Sequence, residues 1–114
     1  MKTKTISMSD LPAPVAAYWT AANAGNSAAA AACFAPDATV QDEGHTHRGA
    51  GAIAGWIEQT TQAAHPVVEP LRSSTEGGRL VVTGKVSGSF PGSPVELDFA
   101  FTLANGKISK LEIK

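Results

Sequence analysis

The sequence predicts an α+β domain: three helices in the N-terminal half packed into the concave face of a four-stranded antiparallel sheet, with a mostly apolar pocket between the layers. Three observations carry this expectation. Apolar residues recur at spacings of three and four up to His65, they alternate with polar residues from Val67 onward, and turn dipeptides divide that second half into strands. The two halves are expected to share one core, a single domain over residues 1–114, because 114 residues are too few for two self-sufficient ones.

The first helix is expected to start at Asp10, an N-cap followed by Pro12 in the first turn, where a missing N–H costs nothing. Leu11, Val15, Tyr18, Trp19 and Ala22 then form one apolar face, which turns Tyr18 and Trp19 inward, and Gly25 is placed to end the helix. A short second helix follows over Ala28 to Phe34, nearly all alanine, and Pro36 stops it. Ala38 to Asp42 reads as a brief strand with Ala38, Val40 and Asp42 on one face. Glu43 to Gly49 reads as a polar loop. Helical spacing returns from Ala50 with Ala52, Ile53, Trp56, Ile57 and Thr60, and it ends before His65 and Pro66.

The rest is strand and turn. Val67 to Thr75, Arg79 to Phe90, Val95 to Leu103 and Lys107 to Lys114 are divided by Gly77-Gly78, Pro91-Gly92-Ser93-Pro94 and Asn105-Gly106, all turn-forming. Leu80, Val82, Val86 and Phe90 alternate with polar residues, as do Leu97, Phe99, Phe101 and Leu103, so the meander buries one face. Gly84 and Gly88 fall in that inward series, where a missing side chain permits a bend or leaves space.

Composition narrows the function classes. Hydrophobic residues make up 43% and charged residues 17%, a globular balance. Lys and Arg number 9 against 10 Asp and Glu, a net charge of −1, so no basic block exists to neutralise a phosphate backbone and nucleic acid is not an expected partner. Met1 to Asp10 leads into Leu11, Pro12 and Pro14 rather than an apolar leader, and the longest uncharged stretch, Leu11 to Pro36, is broken by proline, glycine and asparagine. No membrane span is expected, and the cytoplasm is the expected location. Cys33 alone rules out an internal disulfide or a cysteine-rich zinc site. No cofactor is expected, since no phosphate-binding glycine loop or dinucleotide fingerprint occurs.

Asp42 is the leading candidate for chemistry. A carboxyl on the inward face of a strand in an apolar pocket should have a raised pKa and can act as general base or acid; as a structural group it would cap the following loop or pair with Arg48. Tyr18 is placed to donate a hydrogen bond to a ligand oxygen, or else to be core with its hydroxyl satisfied by a neighbour. Trp19, Trp56, Phe99 and Phe101 are expected to form the pocket wall. His45 and His47 follow Asp42, and either is a candidate proton carrier at the pocket mouth; a metal site is not expected, because no third ligand at a second chain position is evident. Glu43, Arg48 and His65 read as surface or loop residues, and Cys33 as a small core residue.

Four stretches, Tyr18-Trp19-x3-Asn23-Ala24-Gly25-Asn26, the run Phe34 to Asp42, Arg48-Gly49-x3-Ile53-x2-Trp56 and Leu103-x2-Gly106-Lys107-Ile108, together cover nearly the whole chain. In this order they resemble the nuclear transport factor 2-like superfamily, in its SnoaL-like branch of polyketide cyclases and ketosteroid isomerases. The resemblance implies the cystatin-like roll, with three N-terminal helices on a curved antiparallel sheet enclosing a pocket, but not the reaction. It also implies roles. Tyr18, seven residues before Gly25, and Asp42 match the isomerase tyrosine and its proton-transfer aspartate. Counting back eight from Gly106 reaches Asp98, the spacing of the isomerase oxyanion aspartate, whereas the alternation turns Asp98 outward and puts Phe99 in that position.

Two functions are therefore in play. The first is binding of a small hydrophobic, oxygen-bearing molecule with cofactor-free proton transfer of isomerase, cyclase or dehydratase type led by Asp42. The second is a non-catalytic binding or assembly module. In either case the resemblance implies a homodimer paired through the outer face of the sheet.

Overall fold

The computed structural model describes residues 4–114; residues 1–3, at the head of the segment read above as carrying no leader, lie outside them. A short strand β1 (Lys4–Thr5) and a 3-10 turn (Met8–Asp10) lead into helix α1 (Ala13–Asn23). The helix begins three residues later than Asp10. Leu11 precedes a proline and is held extended at ψ 152°, which breaks any helix running through it. Asp10 instead closes the 3-10 turn, its carboxylate accepting from the Ser7 N–H at 2.9 Å.

Gly25 ends α1 as its position suggests. At φ +77° it lets the Asn26 N–H reach the Ala21 carbonyl and its own N–H reach that of Ala22, the paired bonds of a Schellman motif. Asn26 then caps helix α2 (Ser27–Ala31) through Oδ1 and the Ala29 N–H, 3.1 Å. This helix is shorter than the alanine run, and Phe34 already belongs to strand β2 (Phe34–Asp42). Pro36 lies within that strand, where the register against its neighbour slips between Phe34 and Thr39; a proline is tolerated there because no ladder bond is required of it.

The expected polar loop is a hairpin. Glu43 and Gly44, both at positive φ, form a two-residue turn that pairs Asp42 with His45 and starts strand β3 (His45–Arg48). Helix α3 (Ala50–Ala64) follows and buries Ile53 and Ile57. Strands β4 (Val67–Glu76), β5 (Arg79–Ser87), β6 (Val95–Ala104) and β7 (Lys107–Ile113) form the meander.

The sheet has seven strands, not four, in the order β1-β4-β5-β6-β7-β2-β3, with β2 parallel to β7 and every other pair antiparallel. The four meander strands are its centre and β1 and β3 its edges. The helices are also not all N-terminal to the sheet, since β2 and β3 precede α3. Helices α1 and α3 pack on its inner face and α2 packs against both of them, and Val15, Trp19, Ile53, Val82, Phe101, Ile108 and Leu111 make a continuous core. Leu103 is an exception to the expected inward series. It is exposed, at the point where the β6–β7 register shifts, so the alternation is lost there.

Curvature comes from β4. Pro70 pairs with Gly84 and Arg72 with Thr83, so Leu71 is an extra residue and the strand bends opposite the glycine. Gly84 and Gly88 mark close approach rather than vacant space. A Cβ on Gly84 would lie 2.8 Å from Val68 Cγ1, and one on Gly88 would lie 2.6 Å from the Ala64 carbonyl oxygen. Among the described residues no helix is long and apolar enough to cross a membrane.

Candidate active site

Between α1, α3 and the inner face of the meander lies a cavity of about 800 Å³, large enough for a molecule of a few fused rings. Its wall is mainly apolar. Trp19, Trp56, Val86, Val95, Leu97 and Phe99 face it, and Phe90 and Pro91 reach it from the connection between β5 and β6.

Asp42 sits on this wall, half-buried at the end of β2, where the alternation with Val40 directs it. Trp56 Nε1 donates to its Oδ2 at 3.2 Å. Burial pushes the Asp42 carboxyl above the ordinary carboxylate range; the Trp56 hydrogen bond opposes this, the Glu43 charge adds to it, and His47 opposes it. Among the described residues Asp42 belongs to no ion pair; those present lie elsewhere, at Arg72–Glu96, Arg79–Glu112 and Lys110–Glu112. Arg48 cannot be its partner. It pairs across the ladder with Thr39, on the face opposite Asp42.

Tyr18 lines the same cavity from α1, packed edge-on against Phe34 at 5.1 Å. Burial pushes its hydroxyl pKa well up, and the nearby Asp42 and Cys33 raise it further. The hydroxyl therefore stays protonated and available as a donor. Of the expected wall residues, Trp19, Trp56 and Phe99 line the cavity, whereas Phe101 does not. Phe101 is 1% exposed beneath Trp19 and Tyr18, with ring centroids 5.4 and 6.4 Å away, and belongs to the core.

The two histidines take different places. His47 stacks on Trp56 at 5.8 Å, behind the ring that holds Asp42, and is not on the cavity wall. His45 is exposed and lines a smaller recess of about 300 Å³ that shares Asp42 and Gly44 with the cavity. Among the described residues no three His, Cys, Asp or Glu side chains converge to hold a metal ion. Asp98 points away from the cavity and accepts from Thr83 Oγ1 at 2.7 Å on the outer face.

One residue of the site escaped the sequence reading. The Asn23 side chain binds the Val68 backbone twice, Nδ2 donating to the carbonyl and Oδ1 accepting from the N–H, both at 2.9 Å, and so fixes α1 against β4 at the cavity edge. A polar residue on the inward side of an otherwise apolar helix was its signal. Thr60 and Thr61 also line the cavity, but their hydroxyls donate to the Trp56 and Ile57 carbonyls within α3.

A curved sheet closed by three helices over one apolar cavity with a carboxyl on its wall defines an α+β roll of the cystatin-like, nuclear transport factor 2-like type. The model of the SnoaL-like domain matches residues 15–111, and the chain belongs to that family. No curated protein matches it. Among solved structures, a protein of Sinorhizobium meliloti provisionally assigned as a polyketide cyclase is 44% identical, with a TM-score of 0.89 over 96% of this chain and 100% of that one. A Catenulispora acidiphila protein with a ketosteroid isomerase-like fold, in complex with trimethylamine, is 23% identical, with a TM-score of 0.76 over 90% of this chain and 85% of that one. An epoxide hydrolase/cyclase-like enzyme of pyran ring formation in the polyether salinomycin is 22% identical, with a TM-score of 0.76 over 88% and 85%. The last two share the fold.

Proposed function

We propose that this chain binds a small hydrophobic molecule bearing oxygen and catalyses a cofactor-free proton transfer on it, with Asp42 as general base and Tyr18 as hydrogen-bond donor. The observation that carries this reading is the Asp42 carboxyl, half-buried on an apolar cavity wall, held by Trp56 through one oxygen and in no ion pair among the described residues. The 44% identical relative, provisionally a polyketide cyclase, supports the same class of chemistry.

In this reading the Asp42 carboxylate removes a proton from a carbon next to a carbonyl, and the electron pair of the C–H bond moves onto the carbonyl oxygen. Tyr18 donates to that developing oxyanion. Where a C=C bond adjoins the carbon that lost the proton, the resulting dienolate takes the proton back from Asp42 at the far carbon of that bond, which shifts the double bond into conjugation, an isomerisation; otherwise the enolate attacks a second carbonyl within the same molecule, a cyclisation, with Asp42 returning the proton to the new alkoxide. The outward position of Asp98 favours a second reading, a non-catalytic binding module, because the second acid of the isomerase arrangement is missing from the cavity. In either reading, two copies pair through the outer face of the sheet.

Hydrogen–deuterium exchange separates the two. With 2-tetralone in D₂O, followed by proton NMR, the protein should accelerate loss of the α-proton signal, and Asp42→Asn should lower that rate by roughly 10² to 10⁴, the usual worth of a general base. Exchange no faster than in buffer, with the ketone bound, would leave the binding module as the function.

A further inference from the structure

The polar side chains of the cavity that keep a free group gather at one end. Asp42, its sequence neighbour Glu43, the Tyr18 hydroxyl near Asp42, and Lys114, which shares the adjoining recess with Asp42, all stand there. The opposite end is built differently. Trp56, Thr60 and Ala64 line the cavity in one row along α3, so the wall runs eight residues from the tryptophan that holds Asp42 to Ala64, about 12 Å along the helix axis. Around Ala64 the wall consists of Pro66, Val68, Phe90, Pro91 and Val95, apolar side chains throughout. The backbone there is engaged as well. Asn23 takes both the N–H and the carbonyl of Val68, the Ser89 N–H donates to the Ala64 carbonyl at 2.8 Å, the Ser93 N–H donates to the Phe90 carbonyl at 3.3 Å, and Pro66 and Pro91 have no N–H.

Phe90 is fixed at this end. The Gly88 N–H donates to Ser93 Oγ at 3.0 Å, which ties the connection between β5 and β6 across itself, and the Phe90 ring lies so close to Gly88 that a Cβ there would meet its Cε2 at 3.0 Å. A hydroxyl or carboxyl brought to that end gives up its water and meets no partner, a cost that a hydrocarbon group does not bear. We propose that the end of the cavity between Ala64 and Phe90 is an apolar subsite for a hydrocarbon terminus of the ligand, and that Phe90 is the specificity-determining residue that sets the ligand's length. The ligand then carries its oxygens at the Asp42 end and finishes in hydrocarbon about 12 Å away. This deepens the ligand class of the proposed function and rests on its placing the reacting carbon at Asp42.

The probes are three 2-acetylnaphthalenes that differ only at ring carbon 6, which carries methyl, hydroxyl or butyl. With the methyl probe bound, intermolecular NOEs should join its acetyl methyl to the Trp56 indole and its ring methyl to the Phe90 ring. The methyl probe should bind at least roughly tenfold more tightly than the hydroxyl probe, and Phe90→Tyr, which brings a hydroxyl to that end, should narrow the ratio. The butyl probe should bind the wild-type protein more weakly than the methyl probe, and Phe90→Ala should reverse that order, whereas a purely structural role for Phe90 would weaken all three alike and keep it. If neither variant folds, the wild-type NOEs and affinity ratio still decide. Reversed NOEs, equal affinity for the methyl and hydroxyl probes, or an unreversed order in a folded Phe90→Ala would overturn the proposal. Exchange of the acetyl protons in D₂O is read separately, so probes bound in the expected direction without exchange would remove the catalysis and uphold the subsite. Failure of all three probes to bind would overturn the cavity reading and this proposal together.

Discussion

Asp42 ties stability to pH. Its carboxyl titrates above the ordinary range in the folded chain because burial disfavours its charge, so the fold holds the proton more tightly than the unfolded chain does. Stability therefore falls as pH rises from the unfolded value through the folded one, with the full penalty reached above it. Asp42→Asn keeps the shape and removes that penalty. The variant should be more stable than wild type near neutral pH and lose that advantage in acid below the ordinary carboxylate range, which denaturant midpoints at the two pH values measure. Trp56→Phe acts in the opposite sense, since the Trp56 hydrogen bond lowers the Asp42 pKa; the acid limb of the pH–rate profile for α-proton exchange should move to higher pH. Asp42 was legible from the alternation with Val40 alone. Phe101 was not, because Phe99 and Phe101 belong to one inward series, and only the lie of Tyr18 and Trp19 over the sheet decides which ring reaches the cavity.

At the scale of elements, two close contacts hold the cavity open in its observed shape. Asn23→Ala removes both hydrogen bonds between α1 and the Val68 backbone and leaves a half-buried amide without partners, so it should cost about 1–3 kcal/mol in urea unfolding. Gly88→Ala forces a Cβ against the Ala64 carbonyl, a backbone atom that can yield little, and should cost a similar about 1–3 kcal/mol. A wild-type midpoint for either variant would show that the contact is not needed. The long elements were legible because periodicity repeats along them. The β2–β3 hairpin was hidden by its turn, where Glu43 takes the positive-φ position that asparagine or aspartate normally signals; Gly44 next to it was the available clue. The onset of β2 was hidden by Pro36, which reads as a helix stop and in the fold occupies a register shift.

Across the whole molecule, the cavity side and the outer side of the sheet divide the work. The outer side carries cross-strand pairs, Thr83–Asp98, Arg72–Glu96 and Arg79–Glu112, which are worth little individually as stabilising contacts but leave a mutually satisfied surface around Ala100. Such a surface suits a two-fold pair, and sedimentation at micromolar concentration should give a dimer; a monomer would contradict it. The division was largely legible, because period-2 alternation assigns each meander residue to one side, and it placed Asp98 outside as the structure does. The number of strands was not, since β1 and β3 are too short for a pattern to register and β2 joins the meander in parallel through β7, a strand distant from it in sequence. The state of one carboxyl inside that enclosure decides the proposed chemistry. Carbon-13 NMR titration of the Asp42 side-chain carboxyl in the intact protein tests it directly: a midpoint clearly above the ordinary aspartate value of about 3.9 is expected, and a midpoint at or below that value would contradict the proposed role.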